Sequence, residues 1–187
     1  MKQSIILILF SFLTYSNLFS QTIENIENEN KKLINEIKEF PFIQSWCLGF
    51  SCNSISLVYR KTDSLFALST PSEVISYFQD TSYVLKYYSF MYALENNDSI
   101  AYKLLEKSIN DTTLVSTNFS CVYSSHKFNH LLIYEYRRFI EMKYKTGGRI
   151  YKGDLSRTYT QPKSKHKWKE KSKQLNKLLK IKKIDLR

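Results

Sequence analysis

Glycine and proline are scarce, at four and three in 187 residues. A turn-rich all-β fold needs more of both, so the composition favours helices. The glycines stand at Gly49, Gly147, Gly148 and Gly153. They build neither a dinucleotide-binding turn, nor a phosphate-binding loop, nor a serine nucleophile elbow, and the HExxH zinc signature is absent too. No motif implies a cofactor and no catalytic residue is assigned, so the reading leans away from an enzyme. There are three cysteines, Cys47, Cys52 and Cys121. After the first twenty residues no apolar run is long enough to cross a bilayer.

What is present begins with the opening "MKQSIILILFSFLTYSNLFSQ". Lys2 supplies a positive start, Ile5 to Leu13 an apolar run broken only by Ser11, and Ser16 and Ser20 small polar residues near the cleavage point, where Leu18 departs from the usual small residue. That three-part layout predicts a secretory signal over residues 1–20, cut after Ser20. The expected location is periplasmic or extracellular, where cysteines meet an oxidising environment. Three disulfide pairings are open. Cys47–Cys52 is favoured, because only a short loop around Gly49 needs to close.

Charge is divided unevenly. Residues 155–187 hold 12 basic and 2 acidic residues, whereas residues 21–154 hold 15 of each. The body is neutral, and the basic character belongs to the C-terminal segment.

The body reads as helices joined by short polar turns. Ile23, Ile26, Leu33, Ile34, Ile37 and Phe40 recur at mostly helical spacing until Pro41. "FIQSWCLGFSCN" reads as an irregular aromatic connector, and "SISLVYRK" as either a strand or a short helix. "STPSEVISYFQD" carries a capping box, with Thr70 as cap, Pro71 first in the helix and Glu73 three residues on. "SYVLKYYSFMYALE" is apolar almost all round, which predicts a buried central helix. "IAYKLLEKSI" is amphipathic, with Asp98 or Ser99 as its expected cap. "LVSTNFSCVYSS" is β-rich in composition. "NHLLIYEYRRFIEMKYK" returns to helical spacing and stops at Gly147-Gly148. Residues 151–162 read as a linker, with at most a small hairpin around Lys152-Gly153-Asp154. Helices with short connections pack antiparallel, so the expected fold is all-α, a small antiparallel helical stack over residues 21–150.

An aspartate turn at Asp80, the aliphatic-basic pair Leu85-Lys86, an aromatic and small stripe, and Ala93-Leu94 make residues 71–111 resemble a HEAT-type helix pair with the helix that follows. The resemblance implies a scaffold for protein interaction, with no catalytic residue to carry over.

Two clusters are candidates for chemistry. His126 and His130 are four apart, with Cys121 upstream, a spacing that holds a metal if both imidazoles share a helix face. Cys121 is also a candidate nucleophile with either histidine as base. Its apolar setting argues against a depressed thiol pKa, and neither a metal site nor a thiol site is the preferred reading. Arg137 and Arg138, beside Tyr134 and Tyr136, are cations suited to an anionic ligand but read as a solvated helix face.

The last feature is "KSKHKWKEKSK" and the sequence after it. Lysines four apart repel one another along a helix, and the lysine alternation leaves no core-facing stripe in a strand. The segment 163–187 is therefore expected to be a disordered basic tail. Trp168, Leu175, Leu178 and Leu179, with Ile181 as a further candidate, would give it an apolar edge suited to an anionic lipid surface. The candidate anion-binding residues are Lys163, Lys165, Lys167, Trp168, Lys169, Lys171, Lys173 and Lys177, facing anionic lipid or acidic polysaccharide. With no arginine between Arg157 and Arg187, sequence-specific nucleic-acid reading is not expected.

Overall fold

The computed structural model describes residues 21–22, 24–48, 54–120, 122–146, 149–151, 158–160 and 164–184. The predicted signal sequence lies outside them. So do Cys52 and Cys121, and with them the expected disulfide and thiol site.

Helix α1 covers residues 24–38 and turns Leu33 and Ile37 into the core. Strands β1 (Ile43–Leu48) and β2 (Ser54–Ile55) follow. Helix α2 (Leu57–Leu68) then starts at Ser56, whose hydroxyl accepts from the Tyr59 amide. The ambiguous stretch "SISLVYRK" is thus divided between strand and helix.

Helix α3 (Pro71–Ser76) opens with the predicted capping box: the Thr70 hydroxyl accepts from the Glu73 amide and the Glu73 carboxylate accepts from the Thr70 amide. A 3-10 turn, Tyr77–Gln79, leads through Asp80 to α4 (Tyr83–Asn96), the buried central helix. Val84, Leu85, Tyr87, Tyr88, Phe90, Ala93 and Leu94 all lie inside. Ser89 does too, because its hydroxyl donates to the Val74 carbonyl at 2.6 Å. The cap of α5 (Asp98–Ser108) is Asn97 rather than Asp98 or Ser99. Its side-chain oxygen accepts from the Ile100 amide, which leaves the Asp98 carboxylate available to other elements.

The all-α expectation is corrected here: the chain is mostly helical but also carries a small mixed sheet. "LVSTNFS" forms β3 (Leu114–Ser120) and "VYSSHK" forms β4 (Val122–Lys127). Strand order is β2-β1-β3-β4. β3 and β4 pair antiparallel, with Phe119 opposite Val122, whereas β1 and β3 pair parallel, with Ile43 opposite Thr117. A parallel pair needs a long crossover, and α2 to α5 supply it. Sequence periodicity is local and cannot register that pairing, which joins residues some seventy positions apart. The segment read as an irregular connector became β1 for the same reason.

Helix α6 (Phe128–Ile140) packs beside α4 and α5 and continues into a π-helical turn, Glu141–Thr146. Asn129 locks its start, donating from its buried amide to the Ile109 carbonyl at 2.8 Å. Strands β5 (Arg149–Tyr151) and β6 (Thr158–Thr160) pair antiparallel, as the small hairpin that the linker reading allowed.

The second correction concerns the tail. Residues Lys165–Ile181 form helix α7, and Leu175, Leu178 and Leu179 are buried in the same core as the other helices. Magnitudes explain why. Each like-charge pair four residues apart costs about 0.2–0.5 kcal/mol, whereas fully burying one leucine side chain contributes about 1.5–3 kcal/mol. Three leucines and a half-buried Trp168 outweigh the repulsion. The helix also ends in a proper cap. Lys183 adopts φ 53°, its amide donates to the Lys180 carbonyl at 3.3 Å, and the Ile184 amide donates to the Leu179 carbonyl at 3.1 Å. That is the paired-bond C-terminal motif in which the residue beyond the turn packs back on the helix, and Ile184 does pack on the core.

Candidate anion-binding face

Helix α7 has two faces with different tasks. The inner face begins with Ser164, whose amide donates to the Tyr144 carbonyl at 2.8 Å and whose hydroxyl caps the first turn. Next, Lys171 Nζ stands 3.5 Å from a carboxylate oxygen of Asp98, both side chains only 16% exposed. The same oxygen accepts from the Tyr144 hydroxyl at 2.8 Å. One turn further on, the Tyr102 hydroxyl donates to the Gln174 carbonyl at 3.3 Å. Asp98, from the first turn of α5, is therefore the anchor of the basic helix.

The anchor gathers charge of both signs. Lys143, on the π-helical turn, has its pKa lowered by burial, opposed by Asp98 and reinforced by repulsion from Lys167 and Lys171. Its ammonium lies 5.0 Å from the Phe139 ring centre and 5.3 Å from that of Tyr144. Burial and Asp98 together push the Tyr144 hydroxyl upward.

The outer face is cationic. Lys165, Lys169, Lys173 and Lys177 follow one another at intervals of four, all exposed, and Lys180 extends the row. At about 1.5 Å per residue the ridge from Lys165 to Lys180 runs roughly 22 Å.

The predicted site residues therefore divide. Lys165, Lys167, Lys169, Lys173 and Lys177 are exposed on α7, and Lys163 lies outside the described residues. Lys171 and Trp168 are turned inward: Lys171 is held by Asp98, and Lys145 Nζ sits 5.2 Å from the Trp168 ring centre. Lys180 was missed, because without a helix there was no ridge to assign it to. Trp168 with the leucines was read as a lipid-facing edge. The spacing of Trp168 and the three leucines was right, but their apolar partner is the protein's own core, and Ile181 is left exposed.

A cavity of about 290 Å³ opens between α6 and α7. Ile140, Trp168 and Leu175 supply its apolar wall, while Arg137, Glu141, Ser172 and Asn176 line it with polar groups.

The histidine pair does not form a chelate. Helix α6 begins only at Phe128, so His126 falls on β4, exposed, with Nε2 2.8 Å from the Ser124 hydroxyl, while His130 lies in the first turn of α6. Among the described residues no three of His, Cys, Asp and Glu form a group that could hold a metal. Also among them, no helix is long and apolar enough to cross a membrane.

One titratable group is buried away from α7. Glu135 accepts from the Tyr87 hydroxyl at 3.2 Å and lies 3.8 Å from Arg138 Nε. Burial pushes its carboxyl above the ordinary range, with Arg138 and the tyrosine hydrogen bond pulling the other way.

Comparison with protein-family models, with curated proteins and with solved structures returns no match.

Proposed function

We propose that the protein is an exported, non-enzymatic binding protein that attaches to anionic surfaces through the outer face of α7. In this reading the neutral body, with its HEAT-like helices α3 to α5, is the scaffold that holds the helix. The observation that carries the reading is the orientation of α7: its leucines point into the core, and a row of lysines at intervals of three and four is left to solvent. Lysine ammonium groups act as point charges rather than as forks for bidentate recognition. Such a row suits a charged surface or polymer better than one small ligand.

The test is retention on phosphatidylglycerol vesicles and on immobilised acidic polysaccharide, against neutral controls. Each lysine near an anionic surface contributes about 1 kcal/mol. Replacing Lys169, Lys173, Lys177 and Lys180 by Gln is therefore expected to weaken retention by about two to three orders of magnitude at low salt. Added salt should erase the difference. Retention that is independent of both lysines and salt rejects the reading.

A protein partner for the body is a second reading. It is favoured by Val122 and Tyr123, two large apolar side chains exposed on the edge strand β4. Capture by a partner that survives the four-lysine change but is lost in Val122→Asp would support it.

A further inference from the structure

The cavity between α6 and α7 has a composition that the lysine ridge does not explain. Ser172 and Asn176 on its wall stand three residues from Lys169 and Lys173 respectively, so on the helix surface the cavity and the ridge are neighbours. An anionic chain lying along the ridge passes the cavity mouth. Its volume, about 290 Å³, is at the small end for a ligand site and suits one small unit of such a chain.

Three observations define the unit. First, Arg137 has no ion-pair partner among the described residues, whereas Glu141 is held by Lys145 at 2.5 Å. The cavity therefore keeps an unspent positive charge, and a guanidinium takes a carboxylate through two parallel hydrogen bonds. Second, Ser172 and Asn176 bring both donors and acceptors, and Glu141 adds an acceptor. An alkyl chain placed here would strip water from these groups and return nothing, at a cost comparable to the apolar gain. Hydroxyl groups on the ligand would satisfy them. Third, Ile140, Trp168 and Leu175 give the cavity its apolar wall, and an indole presents a broad amphipathic surface to a ring with one apolar side.

A carboxylate, several hydroxyls and a ring with an apolar side are the features of a sugar acid. We infer that this cavity is a subsite for one uronic-acid unit, which makes the preferred partner of the ridge an acidic polysaccharide rather than a lipid bilayer. The inference rests on the anionic-surface reading for its choice of partner, but the subsite is tested separately. Arg137 would hold the carboxylate, Ser172 and Asn176 the ring hydroxyls, and Trp168 the apolar side of the ring.

The experiment is calorimetric titration of the full chain with trigalacturonate, an oligomer too short to span the ridge, with neutral galactotriose as control. Wild type is expected to bind the acid at least about tenfold more tightly than the neutral sugar, as the loss of a charged hydrogen bond implies. Arg137→Gln should lose about tenfold or more, while the four-lysine variant stays within about twofold of wild type, since its changes lie outside the cavity. Arg137 is exposed, and a circular dichroism melt confirms that its variant folds. Equal affinity of Arg137→Gln and wild type overturns the subsite. So does the absence of any trigalacturonate binding alongside strong binding to phosphatidylglycerol vesicles, which assigns the ridge to lipid. Conversely, intact trigalacturonate binding with vesicle and polymer retention insensitive to the ridge lysines removes the surface reading and leaves the subsite standing.

Discussion

Asn129 and Glu135 are the two polar side chains of α6 that lie inside, and they have opposite consequences. Asn129 is paired at both ends: its amide nitrogen donates to the Ile109 carbonyl and its oxygen accepts from the His130 amide at 2.8 Å. Asn129→Ala strands the Ile109 carbonyl in the core, and the expected loss is about 1–3 kcal/mol in a denaturant titration. Glu135 is satisfied only in part, and its folded carboxyl has a raised pKa. A raised carboxyl means that the folded state holds the proton more tightly than the unfolded chain does. The stability this contributes is complete below the ordinary value of 4.5 and is lost as pH rises through the folded value. Glu135→Gln keeps an acceptor for Tyr87 and removes the titration. Its melting temperature should therefore fall less than that of wild type as pH is raised from 4.5 toward neutrality. Parallel curves for the two proteins would mean that Glu135 titrates as an exposed acid. Neither role is legible in "FNHLLIYEYRRFI", because a helical pattern says which face is buried but not what waits there for an amide or a carboxylate.

At the scale of elements, α7 is the informative case. Its spacing of Trp168, Leu175, Leu178 and Leu179 was visible in the sequence, and so was the lysine repulsion. The deciding quantity was the apolar surface offered by α6 and the π-helical turn, which no local window contains. Leu175→Ala tests the assignment directly. For a residue buried in a core the expected cost is about 2–5 kcal/mol, read from chemical denaturation; for a solvated tail it is nil. The capping box at Thr70 lies at the other extreme. Every interaction it makes is within four residues, so the sequence states it completely. The sheet lies between these cases: Val115 and Thr117 alternate as a strand should, with both side chains buried, but their partner β1 is far away in sequence.

For the whole molecule, the separation of charge is the governing fact. A body with 15 basic and 15 acidic residues carries a segment with 12 basic and 2 acidic ones, and the two share one core. Deleting residues 163–187 should therefore do two things at once. It should lower the net charge from +11 to +2, since the segment holds 11 basic and 2 acidic residues, which ion-exchange retention reads. It should also expose the face built around Ile140, Phe139 and Tyr144 and lower the melting temperature by several degrees or more. A deletion that changes retention but leaves the melt untouched would mean that α7 contributes nothing to the fold.

The sequence by itself determined the capping box at Thr70, the buried central helix, the amphipathic α5 and α6, and the location of the charge, because each depends on residues within a few turns of one another. Tertiary structure decided the parallel pairing of β1 with β3, the anchoring of Lys171 by Asp98, and the folding of the lysine-rich segment. Those outcomes depend on the energy of surfaces brought together from distant parts of the chain. Burial of three leucines against a neutral body turned a run of mutually repelling lysines into an ordered cationic ridge.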